Sequence, residues 1–215
     1  MKPGSRAFTR GVKISLWPLC LAPFVVLGLS AFGLFGLDLG ANPVEALLHG
    51  LGKWGLKFLL ITLAITPLRR WTGWNWLISF RRLLGLFAFF YLVMHFTVYF
   101  VLDQTLDVAA VTEDILERPY ITLGMTALAM LVPLALTSTR GMMRRLGGRW
   151  KKIHWLIYPA AVLGVWHFYW QVKLDTLEPT LYAAILALLL GTRLWYRRKR
   201  RLARQNLSDA VHPAR

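Results

Sequence analysis

Cysteine is almost missing from this chain, with Cys20 the only one among 215 residues. One sulfur closes no intrachain disulfide and builds no thiolate cluster or iron–sulfur site. Acids are scarce too, ten against 26 Lys and Arg, for a formal net charge of +16. There is no Gly-rich phosphate loop and no convincing internal repeat. No link between apolar runs has the length of a soluble flavin, nicotinamide or iron–sulfur domain. A catalytic triad is also unsupported, because the acids sit in the links while the histidines of the apolar runs have no carboxylate beside them.

What the chain has is apolar length. It is 56% hydrophobic and 13% aromatic, with a mean hydropathy of +0.48, where soluble domains hold about 45–50% apolar residues. Six runs, near 14–37, 47–67, 83–102, 119–138, 150–171 and 179–196, suit a hydrocarbon core about 30 Å thick. Backbone groups in lipid must be satisfied within the segment, so these spans are expected to be helices. The expected fold is an all-α membrane protein, a six-transmembrane helix bundle over 14–196. Residues 1–13 form its N-terminus and 197–215 a basic, disordered tail.

Charge orients the bundle. Of the 26 cations, 22 fall in the N-terminus, the Arg69–Arg82 link, the Arg140–Lys152 link and the tail from Arg193. Nine of the ten acids fall in the other links, 38–45, 103–117 and 175–178. Lys and Arg mark the cytoplasmic side, so both termini are placed there and the chain in the bacterial inner membrane, multi-pass. The first run, longer than a signal-peptide core and without a clear cleavage site, is read as a retained helix. The basic charge is thus topological, with no nucleic-acid partner expected, and the tail is suited to anionic lipid head groups. Trp71, Trp74 and Trp76 suit an interfacial belt.

Of five histidines, His212 reads as a solvated tail residue and His49 as interfacial or structural. His95, His154 and His167 lie in the third and fifth runs, where a polar, titratable ring usually faces the bundle interior and has a function there. His95 is 13 residues past Arg82 and His167 is 15 past Lys152, about 20 and 22 Å along helices leaving the same side. Two imidazoles at one level can clamp a haem iron axially. With both axial positions filled, such an iron suits electron transfer better than oxygen binding. Phe90, Phe96, Trp166 and Phe168 could wall a porphyrin, or could simply pack the helices. His154 lies 13 residues before His167, about 20 Å nearer the cytoplasm. It is a candidate for a second haem or a flavin, but Arg81 and Arg82 occupy its level on the third run. Those arginines either pair with propionates or a flavin phosphate, or are ordinary topogenic charges.

The segments Arg81–His95 and Gly148–His154, together with His167, resemble the third and fifth helices of the ferric-reductase-like transmembrane superfamily. More narrowly, with 66–69, 114–121 and 133–138, the chain is similar to the MsrQ family over about 10–196. These are haem-binding membrane subunits of a periplasmic protein-methionine-sulfoxide reductase system. The resemblance implies a haem b electron-transfer subunit fed by the quinone pool or a cytoplasmic flavin reductase. Its electrons would pass to a periplasmic molybdopterin catalytic subunit that repairs oxidised proteins. The axial ligands of the haem iron would be His95 and His167, with His154 for a second haem. FMN comes with the resemblance too, without residues to place it. The superfamily's third helix carries two histidines and this chain has only His95 there. The alternative is a small proton-coupled transporter with intramembrane histidines.

Overall fold

A computed structural model describes residues 3–172 and 176–211, so His212 lies outside the described residues. Every regular element among them is helical: α1 (Arg6–Ala31), α2 (Pro43–Thr72), α3 (Arg81–Val98), α4 (Val108–Glu117), α5 (Pro119–Leu136), α6 (Arg140–Leu146), α7 (Gly148–Ile153), α8 (Ile157–Gln171) and α9 (Leu177–Val211). Short 3-10 turns join some of these, and a π-helical turn, Tyr99–Asp103, extends α3.

Five helical stretches are long and apolar enough to cross a membrane: Arg6–Ala31, Pro43–Thr72, Asn75–Asp103, Pro119–Leu136 and Leu177–Ala203. This is a membrane protein. The expected span at 150–171 is broken by a 3-10 turn at His154–Leu156, which leaves α8 with 15 residues. Pro159 is the third residue of α8. It has no N–H to bond to the turn before it, so the chain tightens there into 3-10 geometry.

α2 is the hub. Its most apolar window is 56% buried, against 11% for α1 and 17–28% for the other candidate spans. The Asn42 side chain accepts from the Glu45 N–H and donates to the Glu45 carboxylate, and Pro43 opens the helix. This pairs donors that the first turn would otherwise leave free. Leu56, Leu59 and Leu63 of α2 meet Ala88 and Tyr91 of α3, Leu131 of α5, and Ala160 and Ala161 of α8 in one buried core.

Tyr91 also mends α1. Its hydroxyl donates to the Cys20 carbonyl (2.8 Å) and accepts from the Phe24 N–H (2.9 Å). It is therefore inserted between two groups that would bond directly in a regular helix, next to Pro23. At the other end of the chain, α9 runs on as helix to Val211 where a disordered tail is expected from the sequence. Arg and Lys are good helix formers, and no Gly or Pro interrupts 192–211.

Candidate functional site

His95 and His167 come together. Their ring centroids are 6.2 Å apart and the planes cross at 72°. Each ring is held from behind in the same way. His95 Nδ1 lies 2.9 Å from the Leu48 carbonyl oxygen of α2, and His167 Nδ1 lies 2.7 Å from the Tyr120 carbonyl oxygen of α5. A carbonyl oxygen only accepts, so Nδ1 carries the proton on both rings. In a neutral imidazole, Nε2 is then left with its lone pair.

Glycine makes these anchors possible. A helical side chain covers the turn before it, so the residue at i+4 normally shields the carbonyl of residue i. Four residues after Leu48 stands Gly52, and four after Tyr120 stands Gly124. A Cβ at Gly52 would sit 3.2 Å from His95 Nδ1, and one at Gly124 would sit 3.0 Å from His167 Nδ1. Without those atoms, each carbonyl is open to a ring from the neighbouring helix.

The two halves of the site repeat. Each histidine follows its carbonyl by 47 residues, and a shift of 72 positions carries Leu48, Gly52, Ala88, His95 and Phe96 onto Tyr120, Gly124, Ala160, His167 and Phe168. The α2–α3 pair and the α5–α8 pair are therefore equivalent units. This corrects the expectation of no internal repeat, which fails because few identical residues recur. The matching positions are those where backbone, glycine and ring must fit.

A cavity of about 400 Å³ lies between α2, α3, α5 and α8, with both rings in its wall. Leu56, Leu59, Leu92, Leu128 and Leu131 make much of it apolar, while Asn42, Glu45, His49, Lys53, Asp103 and Arg118 line it too. Lys53 pairs with Glu178 at 2.5 Å, and Arg118 Nε with Asp114 at 3.1 Å. Asp114 is buried and also accepts from the Tyr99 hydroxyl at 2.8 Å and from Gln104 at 3.1 Å. The Asp114 carboxylate raises the pKa of Arg118 above its usual value, so that guanidinium stays charged.

Sequence reading placed His49 apart from this group, but the structure puts it in the cavity wall, with its Nε2 accepting from the Gln171 amide at 2.6 Å. The clue was available, since His49 is adjacent to Leu48. Of the expected aromatic walls, Phe96 and Phe168 line the cavity. Phe90 instead packs on Phe24, Phe87 and Tyr91, and Trp166 is half-exposed and pairs with Trp170. His154 is not in the lining. Its ring stacks on Trp150 at 3.9 Å and its Nδ1 donates to the Trp150 carbonyl oxygen.

The residues fit a planar metal macrocycle. Two metal–nitrogen bonds of about 2 Å each, plus roughly 1 Å from each nitrogen to its ring centre, need centroids about 6 Å apart. The 6.2 Å found here meets that requirement. Nδ1 bonded to a carbonyl with Nε2 facing the metal is the usual outer support of such a ligand.

Residues 51–165 match the family described as ferric reductase like transmembrane component. The heme-binding subunit MsrQ of protein-methionine-sulfoxide reductase from Rhodospirillum rubrum is 54% identical over 183 residues, 85% of this chain and 86% of that one. The chain belongs to the MsrQ family. MsrQ proteins of Ralstonia nicotianae and Xanthomonas campestris pv. campestris are 47% and 53% identical, over 87% and 86% of this chain and 86% of each of theirs. No solved structure matches at a significant level. The ferric-reductase match begins within α2, takes in α3 and α5, and ends within α8 before His167.

Proposed function

We propose that this chain is a haem b electron-transfer subunit, with His95 and His167 as the axial ligands of one iron. One observation carries the reading: two imidazoles 6.2 Å apart, each donating through Nδ1 to a backbone carbonyl and leaving Nε2 for a metal. The group would supply one-electron chemistry with both axial positions taken. The protein's own part is to hold the rings, wall the macrocycle with leucines and keep Lys53 and Arg118 at the polar part of the cavity for its carboxylates.

In this proposal the chain spans the bacterial inner membrane six times, with α7 and α8 together making the fifth crossing, α9 the sixth, and both termini in the cytoplasm. Residues 1–13 are the N-terminus, 14–196 the transmembrane domain and 197–215 the cytoplasmic tail. Electrons enter from the quinone pool or a cytoplasmic flavin reductase. They leave to a periplasmic molybdopterin subunit that reduces methionine sulfoxide in oxidised proteins. The names of the relatives support the sulfoxide-reductase setting. FMN enters through the family resemblance alone and is given no residues. Among the described residues no second imidazole is recorded against the His154 ring, which stacks on Trp150, so a second bis-histidine haem there has no support.

The test is spectroscopic. Protein from haem-replete cells should show a Soret band and sharp low-spin bands on reduction. His95→Ala and His167→Ala should each abolish or severely alter them, and His154→Ala should leave them. A pyridine haemochrome assay should return one haem per chain. Folded but colourless protein would overturn the proposal. The repeated helix pair also suits a proton-coupled transporter, since many transporters are built from repeats. Proton-coupled uptake by haem-free proteoliposomes would favour that reading.

A further inference from the structure

Three arginines gather at the opposite end of the bundle, where α2 closes, α3 opens and the basic run of α9 begins. The Nε atoms of Arg70, Arg81 and Arg193 are buried and have no hydrogen-bond partner. Arg193 is pinned between helices, donating from Nη1 to the Tyr158 hydroxyl and from Nη2 to the Leu63 carbonyl, both at 2.6 Å. Its plane also lies over the Tyr158 ring, and that of Arg70 over Tyr196. Arg70 and Arg81 are each close enough to be repelled by Arg193 and Arg69.

No carboxylate offsets this charge among the described residues. Both ion pairs there, Lys53–Glu178 and Asp114–Arg118, belong to the other end of the chain's helices. Nine of the ten acids lie in the 38–45, 103–117 and 175–178 links. Leaving a buried N–H unpaired is unfavourable, and holding like charges together adds to that cost. Ordinary topogenic arginines avoid both by extending into water. Arg193 is instead held by two hydrogen bonds and the Tyr158 ring and Arg70 lies against Tyr196, while the Nε of Arg81 is buried without a partner.

We propose that Arg70, Arg81 and Arg193 form a binding site for a phosphoryl oxyanion. Guanidinium forks match phosphate oxygens with paired N–H donors, and several converging cations favour a multiply charged phosphoryl group over a single carboxylate. The phosphoryl group comes either from an anionic phospholipid head group or from a soluble phosphate compound. The site is independent of the imidazole pair and does not rest on the haem reading.

Arg193 bridges three helices, so its loss endangers the fold. The test therefore uses the full chain and Arg81→Gln, with Arg81→Lys retaining the charge and exposed Arg145→Gln as a control. In neutral detergent, inorganic phosphate at constant ionic strength should raise the unfolding temperature more than chloride does. Arg81→Gln should weaken that response roughly tenfold or more, Arg81→Lys less, and Arg145→Gln not at all. In parallel, nanodiscs of equal parts phosphatidylcholine and phosphatidylglycerol are dissolved, and retained lipid is counted by native mass spectrometry. Retention of phosphatidylglycerol that Arg81→Gln abolishes identifies a lipid head group. A phosphate response without retained lipid identifies a soluble phosphate compound. No response in either arm, or responses unchanged in Arg81→Gln, overturns the proposal. So does loss of haem absorbance in Arg81→Gln with the phosphate response intact, since it would make Arg81 a propionate partner.

Discussion

Adding one methyl group at Gly124 should disable the haem site without touching a ligand. The new Cβ would stand 3.0 Å from His167 Nδ1, 3.1 Å from Cε1 and 3.3 Å from Cγ, where ordinary contact begins at 3.4 Å. The ring cannot slide sideways freely, because Nδ1 is tied to the Tyr120 carbonyl at 2.7 Å. Either that bond stretches or α8 moves off α5. Overpacking of this kind costs about 1–3 kcal/mol, and a weakened internal hydrogen bond about 1 kcal/mol more. Loss of a ligand's outer support lowers metal affinity roughly 10–100-fold, or about 1.4–2.7 kcal/mol. Gly124→Ala should therefore fold and yet lose most of its haem at low haem supply. Gly52→Ala, with its contact at 3.2 Å, should show a milder form of the defect. Gly85→Ala is the control, since its Cβ would meet only Thr62 Cγ2 at 3.6 Å. The assay is haem per chain by pyridine haemochrome, with reduced low-spin bands recorded on the same samples. Full haem content and unshifted bands in Gly124→Ala would refute the role given to the glycine and its carbonyl.

Other outcomes follow from the same geometry. Tyr91→Phe should lower the unfolding temperature by the equivalent of about 1–3 kcal/mol, because the Cys20 carbonyl and Phe24 N–H lose the hydroxyl joining them; an unchanged melting curve would show that α1 closes the gap itself. Asp114→Asn should loosen the turn between α4 and α5, since Tyr99, Gln104 and Arg118 all converge on that carboxylate. Hydrogen exchange over 108–117 would report this as faster exchange, and unchanged protection would count against it. In a Cys20→Ser background, Leu116→Cys should react with an impermeant thiol reagent from the periplasm and Arg145→Cys only after the membrane is breached. The reverse pattern would invert the proposed topology.

Much of the fold could be read along the chain because lipid makes one-dimensional demands. Apolar length and the clustering of Lys and Arg mark helices and loops without reference to any neighbour. Residues 14–37, 47–67, 83–102, 119–138 and 179–196 each overlap a candidate span. The 150–171 run is not among those spans: its helix is interrupted by a 3-10 turn at His154–Leu156, beside Pro159, which a reading of apolar length does not register. The tail was misread because basic charge suggests solvation, while helix propensity carries α9 onward to Val211.

The imidazole pair shows where linear reading stops. Residue counts put His95 and His167 at one depth, because rise per residue is a property of a single helix. They could not say which way the rings point or what holds them. Those answers depend on Leu48 and Tyr120 carbonyls of other helices, on the missing side chains of Gly52 and Gly124, and on His49 lying in the same cavity wall. The repeat of the two helix pairs was hidden for the same reason, since it is conserved as a packing relation and not as a string of letters. Sequence alone therefore determined the membrane class and the depth of each titratable ring, through terms summed along one helix. Only the tertiary structure decided their orientation, their proton positions and the gap between them, because each depends on two helices meeting.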